Sequence, residues 1–144
     1  MCYLLSKLPA AKRLTSRKSQ PDGALMKHTE QFLREFNEAW AREDAAAILA
    51  AVTDDIRFRM ANEAGVGSKE DFAKVLNDMQ GSGNTFELAI DRVIVGDGQA
   101  AVNGEMRMTD TSGQKKIYAF CDIYTLRGDK ISEMMAYVME KAAS

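Results

Sequence analysis

Residues 120–138 read FCDIYTLRGDKISEMMAYV. Side chains alternate along a strand, so Phe120, Asp122, Tyr124 and Leu126 share one side, with Tyr118 upstream. Ile117, Ala119, Cys121 and Ile123 share the other. Arg127-Gly128-Asp129 reads as a turn, and a second strand follows over Lys130–Met139. Strands joined by so short a turn are antiparallel neighbours. Both faces of the first strand are apolar, which predicts helices over one side and a second subunit over the other. A homodimer burying Cys121, Ile123 and part of the last strand is therefore expected.

The same grammar extends upstream. Lys116–Leu126 and Ala100–Thr109 read as strands separated by the Asp110–Gly113 turn. Phe86, Leu88, Ile90 and Val93–Val95 form another, stopped by Gly96-Asp97-Gly98, a hairpin signal. The first half is helical instead. Phe32, Leu33, Phe36 and Trp40 recur at helical spacing, and Asp44 can cap a short helix over Ala45–Ala51. Ile56, Phe58 and Met60 alternate with Arg57 and Arg59 as a strand with one wet face. Ser68, with Asp71 three residues on, caps a third helix carrying Phe72, Val75, Leu76 and Met79. Helix, helix, strand, helix and four strands predict an α+β layer pair, three helices on one curved antiparallel sheet. Parallel strands or two separate cores would contradict it.

Composition excludes several classes. With 144 residues, 46% hydrophobic and 28% charged, a single globular domain is the expectation. Apolar runs fall far short of the ~20 residues a spanning helix needs, so no membrane partner is expected. One histidine, His28, and two cysteines, Cys2 and Cys121, make neither a histidine-rich metal centre nor a disulfide framework. No metal, no cofactor and a cytoplasmic location are expected. No P-loop or dinucleotide fingerprint occurs, since the glycine turns are hairpins with no helix behind them. Residues 1–25 carry five bases against Asp22 alone, while residues 26–144 are net acidic. The reading is a basic disordered tail at 1–25 and one domain at 26–144. A targeting segment, or translation upstream of a start at Met26, are the competing readings of the tail. No recognition helix or RNA-binding aromatic motif follows it, so no nucleic-acid partner is expected.

FLREFNEAWAREDAAAILAAVTDDIRF at 32–58, the glycine-led third helix and the 120–138 hairpin resemble the nuclear transport factor 2-like superfamily. Within it they are most similar to the SnoaL-like polyketide cyclases and the ketosteroid isomerases. The resemblance covers residues 27–140 and implies a cone-shaped sheet with three helices on its concave face, enclosing a pocket. It also implies dimers through the outer face of the sheet. Asp122 matches the family's carboxylic acid on the strand before the last hairpin turn, and the handling of such an acid as a neutral donor is well established. The isomerase tyrosine and base aspartate are replaced by Phe36 and Met60, which can neither donate nor abstract a proton. Ketosteroid isomerisation itself is disfavoured.

Asp122 is thus the candidate catalytic acid or base, standing in an aromatic row where a carboxyl must find a polar cavity or a partner. The expected pocket wall is Phe36, Trp40, Phe58, Met60, Phe72 and Leu76, together with Phe120, Tyr124, Met134, Ala136 and Val138. Glu105 and Arg107 are candidate helpers, and the Asp110–Gly113 loop decides their place. A loop of two or four residues turns them to the Asp122 face, whereas three residues ending at Gly113 brings Val102, Met106 and Met108 there. A pocket walled by rings predicts an Asp122 pKa above the ordinary ~3.9, and Arg107 on that face would pull it down. Three functions follow. One is an isomerase- or cyclase-type enzyme on an apolar carbonyl or ring substrate. Another is a non-catalytic ligand-binding or dimerisation module. The last is a hydrolase activating water with Asp122, Glu105 and Arg107.

Overall fold

A computed structural model describes residues 23–142. Helix α1 spans Gly23–Ala41, α2 Ala45–Ala50, β1 Val52–Met60 and α3 Lys69–Met79. Four strands follow: β2 Thr85–Val95, β3 Gln99–Thr109, β4 Lys115–Arg127 and β5 Lys130–Glu140. This is the element order read from the sequence. Helix α1 begins three residues before the expected domain start at Met26, and the tail reading for residues 1–22 lies outside the described residues.

Local chemistry sets the boundaries. The Asp44 carboxylate accepts from the Ala47 N–H at 3.1 Å and opens α2. The Ser68 hydroxyl does the same for the Asp71 N–H, also at 3.1 Å, and opens α3. Between α1 and α2, the Glu43 N–H reaches the Trp40 carbonyl and the Asp44 N–H reaches Ala39. These two bonds make a Schellman close with Glu43 in the left-handed position at φ 55°.

The five strands form one open sheet in the order β1-β5-β4-β3-β2. β2 through β5 are an antiparallel meander, as their short turns demand. β1 departs from the all-antiparallel expectation and pairs with β5 in parallel, Phe58 opposite Met134 and Met60 opposite Ala136. No tight turn joins these two strands; α3 and three strands intervene, so chain reversal is not imposed on them. Helix α1 lies along β2, and α3 lies against β1.

The β3–β4 register decides the face question. Asp110 accepts from the N–H groups of Ser112 and Gln114, each at 2.9 Å, and its own N–H bonds the Gln114 carbonyl. That closes a loop of Thr111, Ser112 and Gly113, with Gly113 at φ 86°, the three-residue form that needs glycine last. Val102 therefore stands opposite Asp122 and Met106 opposite Tyr118. Glu105 pairs with Ala119 and Arg107 with Ile117, on the far face.

The helix-covered face holds the core. Leu33 and Phe36 from α1, Ile48 from α2 and Phe72 and Leu76 from α3 bury themselves against Ile56, Val102, Tyr124 and Ile131. The other face leaves Ile94, Ile117, Ile123, Tyr137 and Met139 exposed. No helix among the described residues is long and apolar enough to cross a membrane.

Candidate functional site

Strand β4 sets two buried polar side chains on the covered face, Asp122 and Tyr124, because they are two residues apart. A polar residue of α1 meets them there. Asn37 falls four residues after Leu33, on the same stripe as Leu33, Phe36 and Trp40. Its Nδ2 donates to the Leu33 carbonyl at 2.8 Å and to Tyr124 Oη at 3.1 Å. Tyr124 Oη in turn donates to Asp122 Oδ2 at 3.2 Å. All three are nearly sealed, at 4%, 0% and 5% exposure for Asn37, Tyr124 and Asp122.

The neighbours of this chain are apolar, and Asp122 lines neither of the two depressions described below. The strand registers lay out a row of Val102, Asp122, Ala136 and Met60 across four strands. Phe36 meets the Tyr124 ring edge-on at 5.9 Å between centroids. Burial in these surroundings penalises the Asp122 carboxylate and pushes its pKa up to about 7, against the smaller downward pull of the Tyr124 hydroxyl. The raised direction agrees with a register that keeps Arg107 off this face. Burial first, then the Asp122 charge, pushes the Tyr124 phenol well above its ordinary value, so it is a donor rather than a base.

The other expected wall residues divide into groups. Phe58 and Phe72 pack on Trp40 at 5.9 and 6.0 Å, with 5.0 Å between the two phenylalanines. Met134 is buried opposite Tyr124, and Phe120 is buried one strand step from Asp122. Leu76 and Trp40 border a depression of about 50 Å³ together with Glu43, Gln80 and Phe86. The Gln80 side chain closes its rim by donating to the Glu43 carbonyl at 3.1 Å. Trp40 Nε1 is buried without a partner. Val138 follows the strand alternation to the covered face but is 38% exposed, near the end of β5, so it does not wall a buried site.

Glu105 and Arg107 are not brought to Asp122. Glu105 lies on the outer face and accepts from Lys141 Nζ at 2.7 Å, and that bond holds its carboxyl below the usual range. The outer face carries a groove of about 520 Å³ lined by Asn103, Glu105, Cys121, Tyr137 and Met139 among others. A water held jointly by Asp122, Glu105 and Arg107 has no place in this register, because the sheet stands between them. Cys121 is a free thiol on that outer face, its pKa raised chiefly by burial, so it is not an activated nucleophile. Among the described residues no cluster of His, Cys, Asp and Glu could hold a metal ion.

The sequence reading singles out Asp122 and places Tyr124 in the expected pocket wall, and it does not name Asn37. A polar residue interrupting the apolar stripe of α1 was the signal that could have found it.

Comparison with solved structures returns the same architecture. A putative polyketide cyclase from Xanthomonas campestris pv. campestris aligns with a TM-score of 0.68 at 19% identity, covering 77% of this chain and 90% of that one. A nuclear transport factor 2-like protein from Anabaena variabilis aligns at 0.70 and 18%, covering 81% and 90%. An epoxide hydrolase of M. tuberculosis, described as LEH-like, aligns at 0.66 and 18%, covering 76% and 80%. At these identities the likeness is one of fold. No curated protein sequence matches the chain. The SnoaL-like domain profile matches residues 33–134, a span running from Leu33 beneath Asn37 to Met134 beside Tyr124. With most of its length matched, the chain belongs to the SnoaL-like domain family, and it shares the fold of nuclear transport factor 2-like proteins.

Proposed function

We propose that this domain binds a small apolar molecule carrying a carbonyl or ring oxygen between α1 and the sheet, with Asp122 as the acid or base of an isomerase- or cyclase-type proton transfer. One observation carries the reading: a sealed carboxyl with a tyrosine donor and a pKa near neutrality. A carboxyl whose charge burial disfavours holds its proton to higher pH than an exposed one, and a group that titrates nearer neutrality suits giving and taking a proton. A related solved fold is described as a putative polyketide cyclase, which fits that class of chemistry. Met60 and Phe36 remain unable to serve as a second base or donor, so the chemistry falls on Asp122 and Tyr124.

The test is a titration with 2-cyclohexenone and with 4-nitrophenol, followed by NMR shifts of Val102, Tyr124 and Met60. Saturable shifts are expected for at least one probe, with affinity about tenfold weaker in Asp122→Leu, the loss of one hydrogen bond. No saturation by either probe at millimolar concentration would overturn the reading.

The module reading has its own support. Ile94, Ile123, Tyr137 and Met139 are 60%, 42%, 48% and 68% exposed on the uncovered face of the sheet. Apolar side chains gathered on one sheet face mark an association surface. We infer a homodimer joined through this face, which is compatible with a ligand site on the opposite one. Sedimentation at micromolar concentration is expected to give the dimer mass, and Ile123→Glu the monomer mass near 15.9 kDa. A wild-type chain that sediments only as monomer would reject the interface.

A further inference from the structure

The hydrogen bonds at Asn37 have a direction, and the direction is fixed from one end. A backbone carbonyl can only accept, so the Leu33 oxygen 2.8 Å away requires the amide nitrogen of Asn37 and excludes its flipped form. The same NH₂ group gives its other proton to Tyr124 Oη at 3.1 Å. The phenol oxygen is then an acceptor toward Asn37, and its single O–H is left for Asp122 Oδ2 at 3.2 Å. An oxygen already receiving a proton is the poorer place for the carboxyl's own. When Asp122 is neutral, its proton belongs on Oδ1.

We propose that Asn37 is a positioning residue for Asp122: its amide turns the Tyr124 hydroxyl onto Oδ2, so that the neutral acid carries its proton on Oδ1. This deepens the reading of Asp122 above and rests on it for the role of that acid.

The groups facing Asp122 from the neighbouring elements are few. Tyr124 stands on its own strand, Val102 on β3, Ala136 on β5, and Asn37 on α1 acts through Tyr124. Cys121 lies beside it on the chain but on the opposite face. A change at Asn37 therefore reaches Asp122 through the tyrosine hydroxyl.

The experiment is a double-mutant cycle read on Asp122 itself, with no ligand present. Carboxyl-labelled aspartate gives the Asp122 titration by NMR, and infrared difference spectra give the C=O stretch of its protonated form. Without the amide, the phenol is free to turn and accept from the carboxyl, which favours the protonated acid. Asn37→Leu is expected to strengthen proton binding by Asp122 about threefold to tenfold, the scale of one hydrogen bond. The C=O stretch should move to higher wavenumber, as it should in Tyr124→Phe. In the Tyr124→Phe background, Asn37→Leu should move neither quantity further. Where the added bulk of leucine prevents folding, Asn37→Ala is measured with the same expectations. A titration unchanged by Asn37 substitution, one shifted downward, or equal shifts with and without the hydroxyl would each overturn the proposal. Failure of the enone and nitrophenol to bind would leave this cycle intact, so the two readings fail separately.

Discussion

Replacing Asp122 by asparagine is expected to make the protein more stable at pH 8 and to leave its stability at pH 4 nearly unchanged. The carboxyl moves from an ordinary 3.8 in the unfolded chain to about 7 in the fold, mainly because burial penalises its charge. Well below the unfolded value of 3.8 both states hold the proton, and the native state carries no penalty. As pH rises from about 4 to about 7, the unfolded chain ionises while the folded one keeps its proton. The folded state then binds more protons, so stability falls with pH throughout that window. Above about 7 both states are ionised and the loss is complete. Conversion of the shift gives roughly 4 kcal/mol as an upper bound, since water entering the site relieves part of it. Asparagine keeps an oxygen to accept from Tyr124 and has no charge to bury, so about 2–4 kcal/mol of added stability is expected at pH 8. Urea unfolding of both proteins at the two pH values measures it. A strong loss of stability at pH 8 would identify Asp122 as a structural ion-pair partner and remove it from the chemistry.

That site was legible in part, and the boundary between what could and could not be read is physical. The caps at Asp44 and Ser68 depend on contacts three residues away, so sequence alone carries them. The meander is legible because each connection from β2 to β5 is too short for any other topology. The face of Glu105 and Arg107 was open because one loop residue reverses it. What settled it was a side chain: Asp110 gathers the Ser112 and Gln114 N–H groups and fixes a three-residue loop. The parallel contact of β1 with β5 brings together residues about 75 apart, Phe58 with Met134, and no local pattern specifies it. Asn37 escaped for a related reason. Its position on the stripe of α1 can be read, but its partner Tyr124 is 87 residues away.

Gly104→Ala is expected to destabilise the fold by at least about 3 kcal/mol, beyond the usual range for small overpacking changes. Gly104 pairs with Ile90 on one side and Phe120 on the other, where the β2 register skips Asp91. This bulge brings β2 close over β3. A Cβ built on Gly104 would stand 2.1 Å from the Ala89 carbonyl oxygen and 3.0 Å from both the Ala89 carbonyl carbon and Ile90 Cα. All three are backbone atoms, and none can rotate out of the way as a side-chain tip would. Relief requires parting β2 from β3, which breaks ladder bonds beside Val102, the residue facing Asp122. Gly67→Ala is the matched control, because a Cβ there meets nothing within 4 Å. That change should be neutral or slightly stabilising, since alanine restricts the unfolded chain at a cost to no contact. Thermal unfolding should separate the two variants by about 10 °C or more for a chain of this size. Equal melting temperatures would mean the bulge opens at little cost, and the close approach of β2 to Gly104 would not be a fixed feature of the fold.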